Sequence, residues 1–305
     1  MLAWLKRTKA PADSLLGVAP APGGCVLARV ERRGETVRLL ACEFVAAPPG
    51  SRGEVLRQRV EALGLQGLPV NLLLAAADYQ LLLVERPAVP AAELRAAVRW
   101  RIRELVSAPL DSLVVDAFAL PDDAYRGRTP MAYCAVLAEE RMQALAGWIE
   151  DAGLRLASID IPEMALRNLG LLVGAEGQNL AVLKLHEHDG LISVQYGRDL
   201  YMARRIEKGV ASRGEGGAQL ALEVQRSLDY FDSQLGKGNI SRLLLLPLAQ
   251  DGEELLAELG QQLSVRVQGL SLDQAFADSP LLALPPAQQA PFLPAIGAAL
   301  RQEQD

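Results

Sequence analysis

The chain has 305 residues, enough for one large domain or two lobes of ordinary size. Half of them are hydrophobic and 22% are charged, a globular balance that excludes a disordered or fibrous chain. A net charge of −6 gives a nucleic-acid role no support. Cys25, Cys42 and Cys134 are odd in number, far apart and free of CxxC spacing. They read as buried free thiols of a reducing compartment, not as a disulfide framework. No stretch reaches the ~20 apolar residues of a membrane span. The longest, Leu68 to Val84, is broken by Asp78 and reads as two strands.

At the start of the chain, Leu2, Trp4 and Leu5 stand beside Lys6, Arg7 and Lys9. This is the composition of a short interfacial segment on an anionic membrane, or of a plain tail ended by Pro11. Residues 14–46 then predict three short strands, with Gly23-Gly24 and Arg33-Gly34 as turns. A helix follows over 52–64, with Val55, Leu56, Val60 and Leu63 at helical spacing, and then a buried strand over Val70 to Ala76.

From Asp78 the pattern is strand, helix, strand, strand, helix, strand. The first strand ends before Pro87. The helix runs from Ala91 to Val106, with Leu94, Val98, Ile102 and Leu105 as its apolar stripe. Strands over Leu113–Leu120 and Met131–Ala138, a helix ending at Gly153 and a strand over Leu154–Ile161 complete a βαββαβ order, the split-βαβ arrangement of a ferredoxin-like subdomain. After a helix at 162–173, three strands between Leu180 and Ile206 repeat the opening meander in outline, which suggests an internal duplication. The helix at 218–235 carries Leu220, Val224, Leu228, Phe231 and Leu235 on one face. A strand over 240–246, a helix over 252–263, a strand over 264–270 and a final helix near 291–302 close the chain.

Motifs for catalysis are scarce. His186 and His188, the only histidines, share one face of a strand but lack an evident third ligand. There is no nucleophile elbow, no Walker A loop and no GxGxxG after a strand, and Gly214–Gly217 reads as a linker. The 91–106 helix is more informative. Arg95, Arg99 and Arg103 recur every four residues around Trp100, forming a cationic stripe. Such a stripe is either a solvated face or a docking surface for an acidic partner.

Four strings carry a family likeness: Glu93-Leu-Arg-Ala-Ala-Val-Arg-Trp-Arg-Ile-Arg-Glu-Leu105, Val114-Val-Asp-Ala-Phe118, Leu222-Glu-Val-Gln-Arg-Ser-Leu-Asp-Tyr-Phe-Asp-Ser-Gln-Leu235, and Phe292-Leu-Pro-Ala-Ile-Gly-Ala-Ala-Leu-Arg301. They resemble the PilM-type and MshI-type pilus biogenesis proteins, and the length and altered start are most similar to the MshI type. The resemblance implies a two-lobed actin-like ATPase (ribonuclease H-like) fold with a ferredoxin-like insertion, the 1C subdomain. The expected division is a tail at 1–13, the first lobe (1A) at 14–77 and the insertion at 78–161. A connecting helix and linker at 162–178 and the second lobe (2A/2B) at 179–305 follow, with the last helix a candidate to return to the first lobe. The resemblance also implies a place on the cytoplasmic face of a bacterial inner membrane. The implied partner is the N-terminal cytoplasmic peptide of a single-span pilus protein, PilN-like or MshJ-like, with the pilus assembly ATPase as a further candidate.

Departures from the family pattern decide the expected activity. Nucleotide-binding relatives carry an Asp-x-Gly-type turn after the first strand, where acid and glycine serve metal and phosphate. Here the stretch Gly17-Val-Ala-Pro-Ala-Pro-Gly-Gly-Cys25 has Ala19 and Pro20 in that place, and proline lacks an amide donor. The second such loop falls on Val182-Leu-Lys-Leu-His-Glu-His188 and the adenosine-side glycines on Pro247-Leu-Ala249. Gly23, Gly24, Glu223 and Arg226 are the remnant nucleotide residues. The expectation is therefore a pseudo-ATPase adaptor with no cofactor and no metal, docking its partner through Tyr79, Arg95, Arg99, Trp100 and Arg103. The alternatives are a nucleotide-gated ATPase using ATP with magnesium through divergent loops, and a cytoplasmic lobe of a type II secretion platform protein.

Overall fold

The computed structural model describes residues 14–34, 36–48, 52–127, 129–174, 177–213, 218–235, 238–273, 275–276 and 279–302. The candidate interfacial residues Leu2, Trp4, Leu5, Lys6 and Arg7 lie outside them. In chain order, β1 (Ser14–Ala21), β2 (Gly24–Arg33) and β3 (Thr36–Ala46) form the opening meander, followed by α1 (Arg52–Ala62) and β4 (Pro69–Leu73). Next come β5 (Tyr79–Glu85), α2 (Ala91–Arg101), β6 (Leu113–Ala119), β7 (Met131–Ala138), α3 (Glu139–Asp151), β8 (Arg155–Asp160) and α4 (Pro162–Leu171). A second meander of β9 (Asn179–Leu185), β10 (Gly190–Tyr196) and β11 (Asp199–Ile206) leads to α5 (Ala218–Gln234), β12 (Ile240–Leu245), α6 (Gly252–Gln262) and β13 (Arg266–Gly269). Two helices end the described chain, α7 (Pro286–Gln289) and α8 (Leu293–Ala299).

The chain divides into two units, one of residues 1–75, 144–169 and 271–305, the other of 76–143 and 170–270. The first unit holds a five-stranded sheet of order β3-β2-β1-β4-β8, antiparallel through the meander and parallel across β1–β4 and β4–β8. Each residue of β4 is buried, as a parallel strand covered on both faces requires. Helix α8 lies on β1, where Gly17 admits it: a methyl there would stand 1.9 Å from the Ala295 carbonyl oxygen. Buried Asn71 and Asn168 donate to the Ala298 and Gly297 carbonyls, both at 2.9 Å, so the end of α8 is capped from within the core.

In the second unit, a sheet of order β11-β10-β9-β12-β13 repeats the first strand for strand and direction for direction. The repeat extends the meander similarity seen in sequence to all five strands. α5 buries Leu220, Val224, Leu228 and Phe231, the stripe its periodicity predicts. The same unit contains an antiparallel three-stranded sheet, β5-β7-β6, covered by α2. Val84, Leu94, Val98, Ile102, Leu113, Val115, Cys134 and Val136 form its separate core.

Two boundaries differ from the sequence-based expectation. The inserted subdomain is βαββ and ends with β7: the strand assigned as its fourth is β8, which pairs parallel with β4 in the first sheet. Local periodicity identifies such a strand but not a partner so distant in sequence. Residues 271–302 also belong to the first unit: the last helix returns there, as the sequence-based division allowed, and the stretch before it returns with it. None of the three cysteines is in a disulfide. Burial pushes the Cys134 thiol up to about 11 and that of Cys42 up to about 12, so both stay protonated at neutral pH. Among the described residues, no helix is long and apolar enough to cross a membrane.

Candidate functional site

The arginine-rich helix α2 presents its apolar stripe to the subdomain sheet, burying Leu94 and Val98. Its arginines are divided in use. Arg95 Nε donates to the Val115 carbonyl at 2.9 Å, and Arg99 donates to the carbonyls of Leu113 (3.1 Å) and Leu110. Leu113 and Val115 belong to β6, an edge of the three-stranded sheet, so both guanidinium groups cover unpaired edge carbonyls. Arg99 also lies 3.8 Å from the exposed Asp111 carboxylate.

Trp100 and Arg103, by contrast, are exposed, Trp100 to 71%. Tyr79 is buried, with the Arg205 guanidinium 5.4 Å from its ring centroid, and presents no docking face. Of the residues expected to dock a partner, Tyr79 is thus buried, Arg99 is half-buried, and Arg95 stays exposed while donating to β6. Two further residues are exposed at this end of the helix. The helix ends at Arg101, with Ile102 as its C-cap, so Leu105 leaves the apolar stripe to which its spacing assigned it and is 54% exposed. Arg101, next to Trp100 in sequence, is also exposed. Its place directly after Trp100 was the local signal that could have found Arg101; Leu105, at stripe spacing, carried none.

The remnant nucleotide residues have structural employment. Strands β1 and β2 stay paired up to Ala21 and Gly24, leaving a two-residue turn of Pro22 and Gly23. Gly23 has φ +74°, suited to glycine after proline, and its carbonyl accepts from Ala47 N at 2.8 Å. A methyl on Gly24 would lie 2.0 Å from the Val45 carbonyl oxygen, so this glycine lets β3 approach. The corresponding hairpin of the second sheet, between Leu185 and Gly190, is closed by His186 N donating to the Asp189 carbonyl at 2.8 Å. The His186 ring sits 2.6 Å from the Asp189 carboxylate. With exposed Glu187 beside it, this turn meets an approaching phosphate with carboxylates, which repel it.

After β12, Leu246 N donates to the Leu183 carbonyl at 2.9 Å and Leu246 and Leu248 are buried, so apolar packing occupies the adenosine-side position. Glu223 and Arg226 pair with each other on α5 at 2.7 Å. Gly23 and Gly24 belong to the first unit, Glu223 and Arg226 to the second. Among the described residues, no three His, Cys, Asp or Glu side chains are grouped to hold a metal ion.

No protein-family model matches the chain, and no curated protein matches it either. Solved structures do. A chain from the PilM–PilN type IV pilus biogenesis complex superposes with a TM-score of 0.70 at 20% identity, covering 96% of this chain and 98% of that one. A Bacteroides thetaiotaomicron protein with an actin-like ATPase fold and unknown function gives 0.51 at 12% identity, over 90% and 96%. The fold is that of the actin-like ATPases. The cytoplasmic domain of Vibrio cholerae EpsL, an inner membrane component of the type II secretion system, is also similar, at a TM-score of 0.47 and 13% identity over 76% and 82%. Within the actin-like ATPase fold, the two sheets of this chain are the duplicated lobes, and the βαββ subdomain is inserted after β4.

Proposed function

We propose that the chain is a non-catalytic adaptor of a type IV pilus assembly machine, of the MshI type, at the cytoplasmic face of the inner membrane. Its partner is the N-terminal cytoplasmic peptide of a single-span PilN-like or MshJ-like protein. The exposed face of α2, with Trp100, Arg101, Arg103 and Leu105, is the docking surface: an aromatic anchor among cations suits a peptide carrying apolar and acidic residues. The likeness to the PilM–PilN complex supports the choice of machine and partner.

The observation that carries the non-catalytic reading is the closure of the two hairpins, one ending at a Pro22-Gly23 turn and the other in the acidic turn 186–189. Phosphoryl transfer relies on backbone amides and a metal ion to hold the phosphates; the first turn loses one amide at Pro22, and neither turn carries a metal-holding Asp-x-Gly. Calorimetric titration with ATP·Mg²⁺ tests this. The expected result is no heat and no thermal shift; micromolar binding lost in a Glu223→Ala/Arg226→Ala variant would overturn it. One observation favours the nucleotide-gated alternative, the preformed Glu223–Arg226 pair on α5, and the same titration decides between them.

A further inference from the structure

The inserted subdomain has a complete apolar core of its own, drawn from β5, β6, β7 and α2. Polar groups join it to the second lobe. The Tyr133 hydroxyl, on β7, both accepts from Ala203 N at 3.0 Å and donates to the Ala203 carbonyl at 3.3 Å. Ala203 lies on β11, the edge of its sheet, so one tyrosine stands where a neighbouring strand would. Tyr201 of the same strand donates to Asp123 at 2.8 Å.

The β6–β7 loop completes the junction by capping α5. Arg126 N donates to the Gln234 carbonyl at 3.0 Å, while its guanidinium donates to the carbonyls of Leu235 (3.3 Å) and Asp232. These are carbonyls of the last turn of α5, which a helix leaves unpaired and where a cation is favourable. Tyr125 forms an isolated antiparallel bridge with Leu235, the single such bridge among the described residues.

We propose that residues 123–126 form a releasable clasp, whose opening lets the subdomain undock from the second lobe as a body with its core intact. The hydrogen bonds of the junction, and the Arg205 cation over the Tyr79 ring, are contacts that water can replace, whereas the subdomain core is held by apolar burial that water cannot. Undocking is therefore the cheapest large motion available to this unit. It uncovers the β11 edge and the end of α5 together, and it reorients the exposed face of α2. The proposal stands whether or not α2 binds the pilus partner.

Hydrogen exchange of the full chain tests it through two reporters remote in sequence, the amides of Ala203 and Arg126. A clasp predicts that they open in one event. In Arg126→Ala the Ala203 amide should exchange at least tenfold faster, while the amides shared by β5 and β7 keep their rates. A Tyr125→Cys/Leu235→Cys variant closes the clasp covalently, since an antiparallel bridge brings the two Cα atoms within disulfide range. Oxidised, it should slow the Ala203 amide relative to its reduced form. Unchanged Ala203 exchange in both variants, or equal acceleration of the β5–β7 amides in Arg126→Ala, overturns the proposal; the second result would mean unfolding rather than undocking.

Discussion

Arg301 Nη1 lies 2.9 Å from Asp160 Oδ2, joining the residue just beyond α8 to the end of β8. The carboxylate is 5% exposed and also accepts from Ile161 N at 3.0 Å and from Asn71 Nδ2 at 3.3 Å, so the cation completes a buried network. Removing one partner of such a pair leaves a charge without compensation. Arg301→Ala should therefore lose roughly 2–4 kcal/mol of stability, the partial exposure of Arg301 keeping the loss below that of a fully buried pair. Arg301→Lys should recover part of it. Urea denaturation of the three proteins measures both effects.

Two glycine substitutions should act in opposite directions. Gly17→Ala puts a methyl 1.9 Å from one backbone atom of α8 and 2.7 Å from another, and backbone cannot step aside as a flexible side chain can. A loss on the order of 3 kcal/mol is expected, with α8 lifted from β1. Gly147, within α3, has open space for 4 Å around the point a methyl would occupy. Gly147→Ala should stabilise by about 0.5–1 kcal/mol through helix propensity alone. Thermal melts of the pair provide the comparison.

On α2, binding and folding should separate by residue. Trp100→Ala and Arg103→Glu change exposed side chains and should leave stability within about 0.5 kcal/mol. Each should weaken binding of the partner's cytoplasmic peptide at least tenfold in a fluorescence titration. Arg99→Glu should destabilise the subdomain instead, because a carboxylate cannot donate to the Leu110 and Leu113 carbonyls. Peptide affinity unaffected by Trp100→Ala would remove this helix as the docking surface.

Stability should rise with pH above neutrality on account of Lys184. Burial on β9 lowers its ammonium pKa to about 8, although the nearby Asp189 carboxylate opposes the shift. A base with a depressed pKa is charged in both states below about 8, where folding bears the full cost of burying the charge. Between about 8 and 10.5 the unfolded chain binds more protons, so stability increases through that window. The gain is bounded by about 3 kcal/mol. Lys184→Met should be more stable at pH 7 and should flatten the profile, as denaturation at a series of pH values would reveal.

Most elements were legible because their apolar residues either recur at strand or helix spacing or run together between turn residues. The 218–234 helix and the two meanders are read from apolar spacing and glycine turns alone. Partners in space were less legible. Nothing near Arg155–Asp160 announces β4 as its neighbour, and the end of α2 is set by turn geometry at Ile102 rather than by loss of apolar spacing. The candidate site suffered most from this. Arginines at positions 95, 99 and 103 look equivalent along a helix, yet only the fold brings edge carbonyls to two of them. Tyr79 carries no local mark of the arginine that covers it.

The seating of α8 on β1 also sets a timetable for synthesis. The first sheet begins with the earliest described strand, but its covering helix and the Arg301 that secures it are made hundreds of residues later. While the ribosome works through the intervening chain, β1 and β4 lack the helix that will cover their inner face. The second lobe, whose five strands and α5 are contiguous from residue 179 to 269, can complete itself first. The lobe that leads in sequence is thus the last to mature, and a chaperone that shields nascent β-rich segments has its longest task there.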